Sequence, residues 1–282
     1  MPDLPRLSYC AALARRHDPD RYAAALFAPP ARRETLFALL AFNHEVAKTA
    51  EVVSEPLLGQ IRLQWWEEAL EALFAGRARG HEVLEALAPA IAAGGLPRAA
   101  FARILEARRG DLEPGPPPDL DSLERYCDDS SAALLELELA ALGAEDEGAR
   151  LAARQLGIAW ALVGLLRALP FHARLKRLYL PGDHLAAAGV APEQVFAFAP
   201  SEALSGVVMR IAGRAAERLA EAEPAVRRLP RQARAPLLIA APARRYLRRL
   251  AAAGYDPFDP AVAADLPQRA WLMAWALATR RC

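Results

Sequence analysis

Hydrophobic residues recur along this chain at the three- and four-residue spacings of amphipathic helices. The stretch 57–75 shows the pattern, with apolar side chains at Leu57, Ile61, Trp65, Leu70 and Phe74. Prolines and glycines separate the periodic stretches, at 29–30, at 56, at 94–97 and in the sequence PGPPP at 114–118. Runs rich in Val and Ile, which a βαβ repeat or a β-sandwich needs, do not occur. The pattern therefore predicts helices joined by short loops.

The breaks divide the chain into about ten predicted helices. The clearest of them cover about 30–53, 57–75, 122–142, 148–169, 201–222, 231–252 and 265–280. Asp121 and Glu124 have the spacing of a capping box, and we expect them to start the helix that follows PGPPP. Because PGPPP is short enough to join two packed helices, we predict a single domain over residues 1–282.

Composition supports the same fold class. Alanine and leucine dominate, whereas the β-branched and aromatic residues that suit a sheet are scarce. Apolar residues make up 54% of the chain and charged residues 24%, which excludes global disorder. We therefore predict an all-α protein.

Charge and cysteine content exclude several functions. The chain has 35 basic and 34 acidic residues, a net charge of +1, and this balance gives no indication of nucleic-acid binding. Cys10, Cys127 and Cys282 are far apart and odd in number, so we expect neither a disulfide framework nor a zinc site. The N-terminal stretch lacks the apolar core of a secretory signal. The uncharged stretch 155–166 is too short to cross a bilayer. We expect a cytoplasmic protein that can lie at the periphery of the inner membrane.

The histidines do not indicate a metal centre. A helical di-iron site needs a glutamate three residues before a histidine, and none of the five histidines has one. Neither HExxH nor paired CxxC motifs occur. The more economical interpretation is that each histidine is a surface or hydrogen-bonded helix residue: His17, His44, His81, His172 and His184.

Two segments combine an apolar helix with polar residues at one end. They are LFALLAFNHEVAKTAEVVSEPLLGQIRLQWWEEAL at 36–70 and GIAWALVGLLRALPFHARLKRLYLPGDHL at 157–185. Together with YCDDSSAALL at 126–135 and YLRRLAAAGYDPF at 246–258, they resemble the squalene/phytoene synthase family. The resemblance covers most of the chain and implies a single domain of the all-α isoprenoid-synthase type.

The resemblance also implies where a diphosphate site would lie. Members of the family hold Mg²⁺ with two aspartate-rich motifs on facing helices, because Mg²⁺ takes hard oxygen ligands. At the first motif this chain has Asn43 and His44, followed by Ala47, Lys48 and Glu51 in place of three acids. The two motifs of the family have five acidic positions in all. In this chain only the position of Glu51 carries an acid.

The second motif is similarly altered. Arg167 is retained, but Ala168 and His172 replace its two acids. Arg177 and Tyr179 follow in the segment RLYLP, and with Asn43, His44 and Arg167 they are candidates to contact a pocket or a phosphate. We therefore predict no metal, no other cofactor and no catalytic residue.

A retained scaffold with altered metal motifs resembles the branch of this family that serves in assembly of respiratory complex I. This resemblance implies a non-catalytic assembly factor whose partners are complex I subunits or other assembly factors. One alternative is a divergent prenyl-diphosphate enzyme that meets pyrophosphate with Lys48, Arg167, Arg177 and His172. Another is a lipid-binding protein that keeps an isoprenoid-like ligand in the prenyl cavity.

A basic segment near the C-terminus suggests a membrane contact. Residues 224–255 contain no acid, and Arg244, Arg245, Arg248 and Arg249 fall within them. Such a segment can bind anionic lipid, although the simpler interpretation is that the arginines are solvated or paired with acids elsewhere. Trp271 and Trp275 share one helix face, which we expect to pack in the core, with the lining of a pocket as the alternative.

Overall fold

The computed structural model describes residues 7–77, 80–113 and 115–279, and every regular element within these ranges is helical. The first nine helices are α1 (Tyr9–His17), α2 (Pro19–Ala25), α3 (Pro30–Ala47), α4 (Thr49–Val52), α5 (Pro56–Phe74), α6 (Glu82–Ala92), α7 (Arg98–Gly110), α8 (Leu120–Cys127) and α9 (Ala133–Ala141). The others are α10 (Glu147–Arg167), α11 (Leu169–Arg174), α12 (Gly182–Ala187), α13 (Pro192–Phe196), α14 (Glu202–Arg228), α15 (Ala240–Ala252), α16 (Pro260–Ala263) and α17 (Arg269–Thr279). The all-α prediction is confirmed.

Local sequence explains where the long helices begin. Pro30 and Pro56 occupy the first positions of α3 and α5, where a helix needs no backbone N–H donor. Asp146 and Ser201 cap α10 and α14, because their side-chain oxygens accept hydrogen bonds from the backbone N–H three residues on, at 2.7 and 3.1 Å.

Several predicted helices are interrupted. The predicted helix 30–53 ends at Ala47 and restarts at Thr49 as α4. The predicted helix 122–142 contains a π-helical turn at Asp128–Ala132, and the predicted helix 231–252 begins with two 3₁₀ turns before α15. The described residues consequently form seventeen α-helices, more than the sequence predicted.

The predicted capping box before α8 is wrong. Asp119, rather than Asp121, caps this helix by accepting a backbone N–H hydrogen bond at 2.7 Å. Glu124 instead accepts hydrogen bonds from Arg214 and Arg218 of α14. Two guanidinium groups offer a carboxylate stronger hydrogen bonds than one exposed backbone N–H, so the long-range contact prevails over the local one.

Helix α10 lies at the centre of the fold. It packs along α14 and against α9, α15 and the π-helical turn. The buried apolar side chains form two clusters, and the half-buried Trp160 of α10 packs against both. By length and composition α10 is the one helix of the described residues that could cross a membrane, but over half of that stretch is buried inside the protein. Here it serves as a core helix.

Two cysteines, Cys10 and Cys127, are buried and form no disulfide. Burial raises the pKa of Cys10 to about 12, so this thiol is protonated at neutral pH. Cys282 lies outside the described residues.

Gly157 permits a close crossing of α10 and the π-helical turn. A Cβ atom at this position would lie 2.3 Å from the Cα atom and 2.7 Å from the Cβ atom of Ala132. Gly164, two turns further along the same helix, has no such neighbour within 4 Å. Alanine substitutions at the two glycines therefore separate the effect of packing from that of helix propensity.

Buried polar groups tie distant parts of the chain together. Asp20 of α2 accepts hydrogen bonds from the Tyr246 hydroxyl and from Arg269 Nε, both at 2.8 Å. These contacts join α2 to α15 and α17. The neighbouring Arg21 donates to Ser131 Oγ at 2.6 Å.

Glu138 of α9 is the least satisfied of these buried groups. Its side chain is only 1% exposed, and its Oε2 atom has no hydrogen-bond partner. Burial raises its pKa to about 8, while the nearby Arg21 opposes the rise and Asp18 adds to it. The folded protein therefore holds this carboxyl group protonated at neutral pH.

We expect Gly157→Ala to destabilise the protein by about 1–3 kcal/mol, because the new methyl group would collide with the backbone of Ala132. Gly164→Ala should instead gain up to about 1 kcal/mol, since alanine is the better helix former and has open space there. Equilibrium unfolding in urea measures both. Stabilisation by both variants would contradict the close crossing.

We expect Glu138→Gln to change how stability depends on pH. Between an unfolded pKa near 4.5 and a folded pKa of about 8, the folded state binds a proton that the unfolded state lacks. Wild-type stability should therefore rise as pH falls from 8.5 to 7, by at most about 1.4 kcal/mol per pH unit, and the variant should lose this slope.

The half-buried Glu136 of the same helix provides the control, because it is paired with Arg103 at 3.1 Å. Glu136→Gln should retain the wild-type slope in urea unfolding over the same pH range. If Glu138→Gln and Glu136→Gln give the same slope, Glu138 is not the titrating group.

Candidate functional site

The two segments in which the sequence resemblance places the family's motifs lie at the ends of α3 and α10. Helix α3 ends at Ala47, and α4 carries Glu51. Helix α10 ends at Arg167, and the chain turns at Ala168 into α11, which carries His172. Arg177, in the loop after α11, donates a hydrogen bond to the Ala50 carbonyl at 2.7 Å. The structure therefore brings the two motif regions into contact.

A buried ion pair forms the centre of this region. Arg108 Nη1 lies 3.2 Å from Asp111 Oδ2, and the two side chains are only 12% and 5% exposed. Tyr179 donates its hydroxyl hydrogen to Asp111 Oδ1 at 2.8 Å, and Tyr126 donates to Oδ2 at 3.3 Å. Tyr126 also accepts a hydrogen bond from Arg108 at 2.6 Å. We call these four residues the Asp111 cluster.

Several residues predicted from the sequence surround this cluster. Asn43 Oδ1 accepts a hydrogen bond from Arg108 at 3.4 Å. The imidazole of His172 packs edge-on against the ring of Tyr179, with centroids 4.8 Å apart. Partial desolvation raises the pKa of Glu51, and the charges of Arg177, Asp111 and Arg108 act on the same carboxyl group. The structure thus brings together Asn43, Glu51, His172, Arg177 and Tyr179.

Burial sets the protonation states in the cluster. It lowers the pKa of His172 to about 4, so the imidazole is neutral at neutral pH. Burial would also lower the pKa of Arg108, but Tyr126 and Asp111 outweigh it and the guanidinium stays charged. Burial and the adjacent Asp111 raise the pKa of Tyr179, which keeps its hydroxyl as a donor. The cluster therefore has a fixed cation at its centre.

The donor set does not fit a Mg²⁺ cluster. Asp111 already accepts hydrogen bonds from Arg108, Tyr126 and Tyr179, and Glu51 lies near Arg177. Within the parts of the chain that the structure describes, no group of three or more histidine, cysteine or acidic side chains could hold a metal ion. Mg²⁺ is usually bound by carboxylates that are free to face it, and here the Asp111 carboxylate is already paired with the Arg108 guanidinium.

The remaining residues of the first motif make other contacts. The imidazole of His44 stacks on that of His17, with centroids 3.8 Å apart. The ammonium group of Lys48 lies 2.6 Å from Glu45, whose other oxygen lies 2.8 Å from Arg62. Lys48 is therefore paired with a carboxylate that it shares with Arg62, and His44 is held by a ring contact.

The retained arginine of the second motif also has other partners. The guanidinium of Arg167 lies 3.5 Å from the ring centre of Tyr246 and donates to the carbonyls of Val262 and Ala263 at 3.4 Å. As the last residue of α10, Arg167 lies beside α15 and α16, whereas Arg177 donates a hydrogen bond to a carbonyl of α4. The basic residues proposed to meet pyrophosphate are thus dispersed, and His172 among them is uncharged.

The space between α10 and α14 is nearly filled. The cavity there measures about 10 Å³, enough for about one water molecule. Leucines of α8, α10 and the 178–180 loop line it, together with Ile211, His172 and Tyr179. Ligand pockets of drug-sized molecules usually measure about 300–1,000 Å³. The space at this position is therefore too small for a prenyl chain in this structure.

The four arginines expected to face a membrane have different surroundings. Arg244 pairs with Glu223 at 2.7 Å, and Arg249 donates to the Ala264 carbonyl at 2.7 Å. Arg245 and Arg248 are exposed. Only part of the basic segment is therefore presented to solvent.

The tryptophans differ in burial. Trp66 is buried and meets Phe42 edge-on. Trp271 and Trp275, expected in the core, are 62% and 53% exposed. The shared face of this last pair was predicted correctly, but it points outward.

Sequence reasoning missed Arg108, Asp111 and Tyr126 as site residues. Asp111 directly follows α7, and a carboxylate at the negative end of a helix dipole is unfavourable unless a cation is close. The spacing of Arg108 and Asp111, three residues apart at a helix end, was the signal that could have indicated a buried pair.

The overall arrangement of helices is that of the all-α isoprenoid synthases. The structure matches squalene synthase HpnC of Alicyclobacillus acidocaldarius with a TM-score of 0.79 at 25% identity, over 88% of this chain and 94% of that one. It also shares its fold with a dehydrosqualene synthase, with a TM-score of 0.85 at 19% identity, over 97% of this chain and 95% of that one. The sequence model of squalene/phytoene synthase matches residues 14–275, and the chain belongs to this family.

Relatives within the family have different names. The chain is 28% identical to NADH dehydrogenase (ubiquinone) complex I, assembly factor 6 of Bos taurus over 270 residues, or 95% of this chain and 81% of that protein. The Homo sapiens protein of the same name matches equally well, at 28% with the same coverage. Presqualene diphosphate synthase of Sinorhizobium fredii is 28% identical over 253 residues, or 88% of this chain and 90% of that protein.

We expect Asp111→Asn to destabilise the protein by about 3–5 kcal/mol, because it leaves the buried guanidinium of Arg108 without its carboxylate. The matched control is Glu106→Gln on the same helix, whose side chain is 76% exposed and pairs with Arg109. That variant should change stability by less than about 0.5 kcal/mol. Urea unfolding compares the two, and equal losses would contradict a structural role for the Asp111 cluster.

Proposed function

We propose that this protein is a non-catalytic member of the squalene/phytoene synthase family that acts in the assembly of respiratory complex I. The similarity to proteins named complex I assembly factor 6 extends over 95% of the chain and supports this role. Its partners would be complex I subunits or other assembly factors. We also propose that it lies on the cytoplasmic side of the membrane that holds its client.

The contacts within the Asp111 cluster are the main support for a non-catalytic role. Ionising an allylic diphosphate requires several kcal/mol of charge stabilisation, which metal ions supply when carboxylates hold them. In this protein Glu51 is the one acid left at the family's motif positions, and Asp111 is paired with a buried guanidinium. The former reaction centre is better suited to hold helices together than to bind metal.

The alternative function is a divergent prenyl-diphosphate transferase. The similarity to presqualene diphosphate synthase over 88% of the chain favours it. Arg177 could meet a phosphate near α4, but Lys48 is paired with Glu45 and Arg167 contacts Tyr246. A single arginine replaces little of the positive charge that a metal cluster supplies. We therefore rank the transferase function below the assembly role.

A lipid-binding role receives less support from the described residues. The cavity between α10 and α14 holds about one water molecule, so binding there would require the two central helices to separate. Separating them would expose the buried contacts of α10 along its length. An isoprenoid-like ligand would therefore need another place on the protein.

A genetic test distinguishes assembly from synthesis. Deleting the gene should reduce assembled NADH dehydrogenase and leave carotenoid and hopanoid levels unchanged, as measured by native gel electrophoresis and lipid extraction. A Glu51→Gln chain should restore assembly fully, because the proposal assigns Glu51 no chemistry. Lost isoprenoids with normal NADH dehydrogenase would instead identify a divergent enzyme.

The purified protein provides the biochemical arm of the same test. With farnesyl or geranylgeranyl diphosphate, Mg²⁺ or Mn²⁺, and NADPH, we expect no pyrophosphate release above the rate without protein. Release that is lost in a folded Glu51→Gln variant would contradict the proposal directly.

A further inference from the structure

Two tryptophans of α17 are exposed side by side. The rings of Trp271 and Trp275 stack with centroids 5.9 Å apart and an interplanar angle of 15°. The opposite face of the helix is anchored in the protein by Met273, which is 0% exposed. Large exposed apolar surfaces in a soluble protein usually mark a contact with another surface. This pair therefore needs a partner.

The tryptophans form one wall of an open groove between α14, α15 and α17. The groove measures about 870 Å³. Leu219 and Leu247 contribute apolar surface, while Arg227 and Arg248 lie along it. We call this surface the Trp–Arg groove. It combines a wide aromatic and aliphatic surface with guanidinium groups.

The groove is positively charged. Glu223 is the one acid among the described residues that line it, and it is shared by Arg227 at 2.9 Å and Arg244 at 2.7 Å. Arg248 adds a further positive charge, and the exposed Arg245 lies on the same helix. Since residues 224–255 contain no acid, nothing in that segment offsets these charges. The excess of arginines over acids favours an anionic partner surface.

We propose that the Trp–Arg groove docks the protein on an anionic phospholipid bilayer. Tryptophan prefers the level of the lipid headgroups, where its ring meets apolar chains and its N–H meets water. Each arginine close to an anionic membrane contributes about 1 kcal/mol, and the attraction is screened by salt. The outward position of both rings suits a broad interface better than it suits a narrow peptide cleft. The docking does not depend on the identity of the client protein.

Vesicle sedimentation tests the docking with the full chain. We expect the protein to sediment with phosphatidylcholine vesicles that contain phosphatidylglycerol, and not with phosphatidylcholine alone. Raising the salt concentration should release it, because the attraction acts within a Debye length. Lipids brominated near the headgroup should quench tryptophan fluorescence. Equal binding to neutral vesicles, or no binding to anionic ones, would overturn the proposal, and the latter would point to an acidic protein partner.

Two double variants locate the contact. Arg245→Gln with Arg248→Gln should weaken binding to anionic vesicles by about thirtyfold, which corresponds to about 1 kcal/mol for each arginine. Trp271→Ala with Trp275→Ala should also weaken it at least about tenfold and remove the quenching. Both pairs are exposed, so thermal unfolding should confirm that the variants remain folded.

The matched control removes the same charge from another surface. Arg15→Gln with Arg16→Gln alters two exposed arginines of α1, a helix that packs on α2, α3 and α6. This variant should bind anionic vesicles within about twofold of wild type. A loss as large as that of the Arg245 and Arg248 variant would show that net charge, rather than the Trp–Arg groove, governs binding, and would overturn the proposal.

Discussion

A guanidinium group as deeply buried as that of Arg108 is stable only where oxygens surround it, because its desolvation costs several kcal/mol. The oxygens come from separate parts of the chain. Asp111 follows the same helix, Tyr126 lies on α8, Asn43 lies near the end of α3, and Tyr179 reaches Asp111 from the loop after α11. One ion pair and its hydrogen bonds thus link α3, α8 and the loop after α11 to the end of α7.

This internal cation changes what the scaffold can do. In a diphosphate site the carboxylates must face the metal, whereas here Asp111 is already satisfied by one charged and two phenolic donors. The space between α10 and α14 is filled by leucines to within about one water molecule. Both features favour a rigid centre over a site that admits substrate. The same fold can therefore serve a different role, which is why similarity in fold alone does not assign an activity.

The sequence predicted the fold more fully than the site. Alanine and leucine content, prolines at helix starts and polar caps act locally, so the class and most long helices could be predicted. The break after Ala47 depends on tertiary contacts, as does the π-helical turn at 128–132. The motif comparison singled out Glu51, His172 and Arg177, and these residues lie near one another because they follow two helix ends that meet. It could not place Arg167, since that side chain lies on the part of α10 that packs against Tyr246 of α15.

Helix α14 connects the Asp111 cluster to the Trp–Arg groove. Arg214 and Arg218 bind Glu124, two residues before Tyr126 of the cluster. About one and a half turns further along the same helix, Glu223 holds Arg227 and Arg244 at the groove. Side chains of one helix therefore contact both regions. The sequence alone shows neither this connection nor which arginines take part in it.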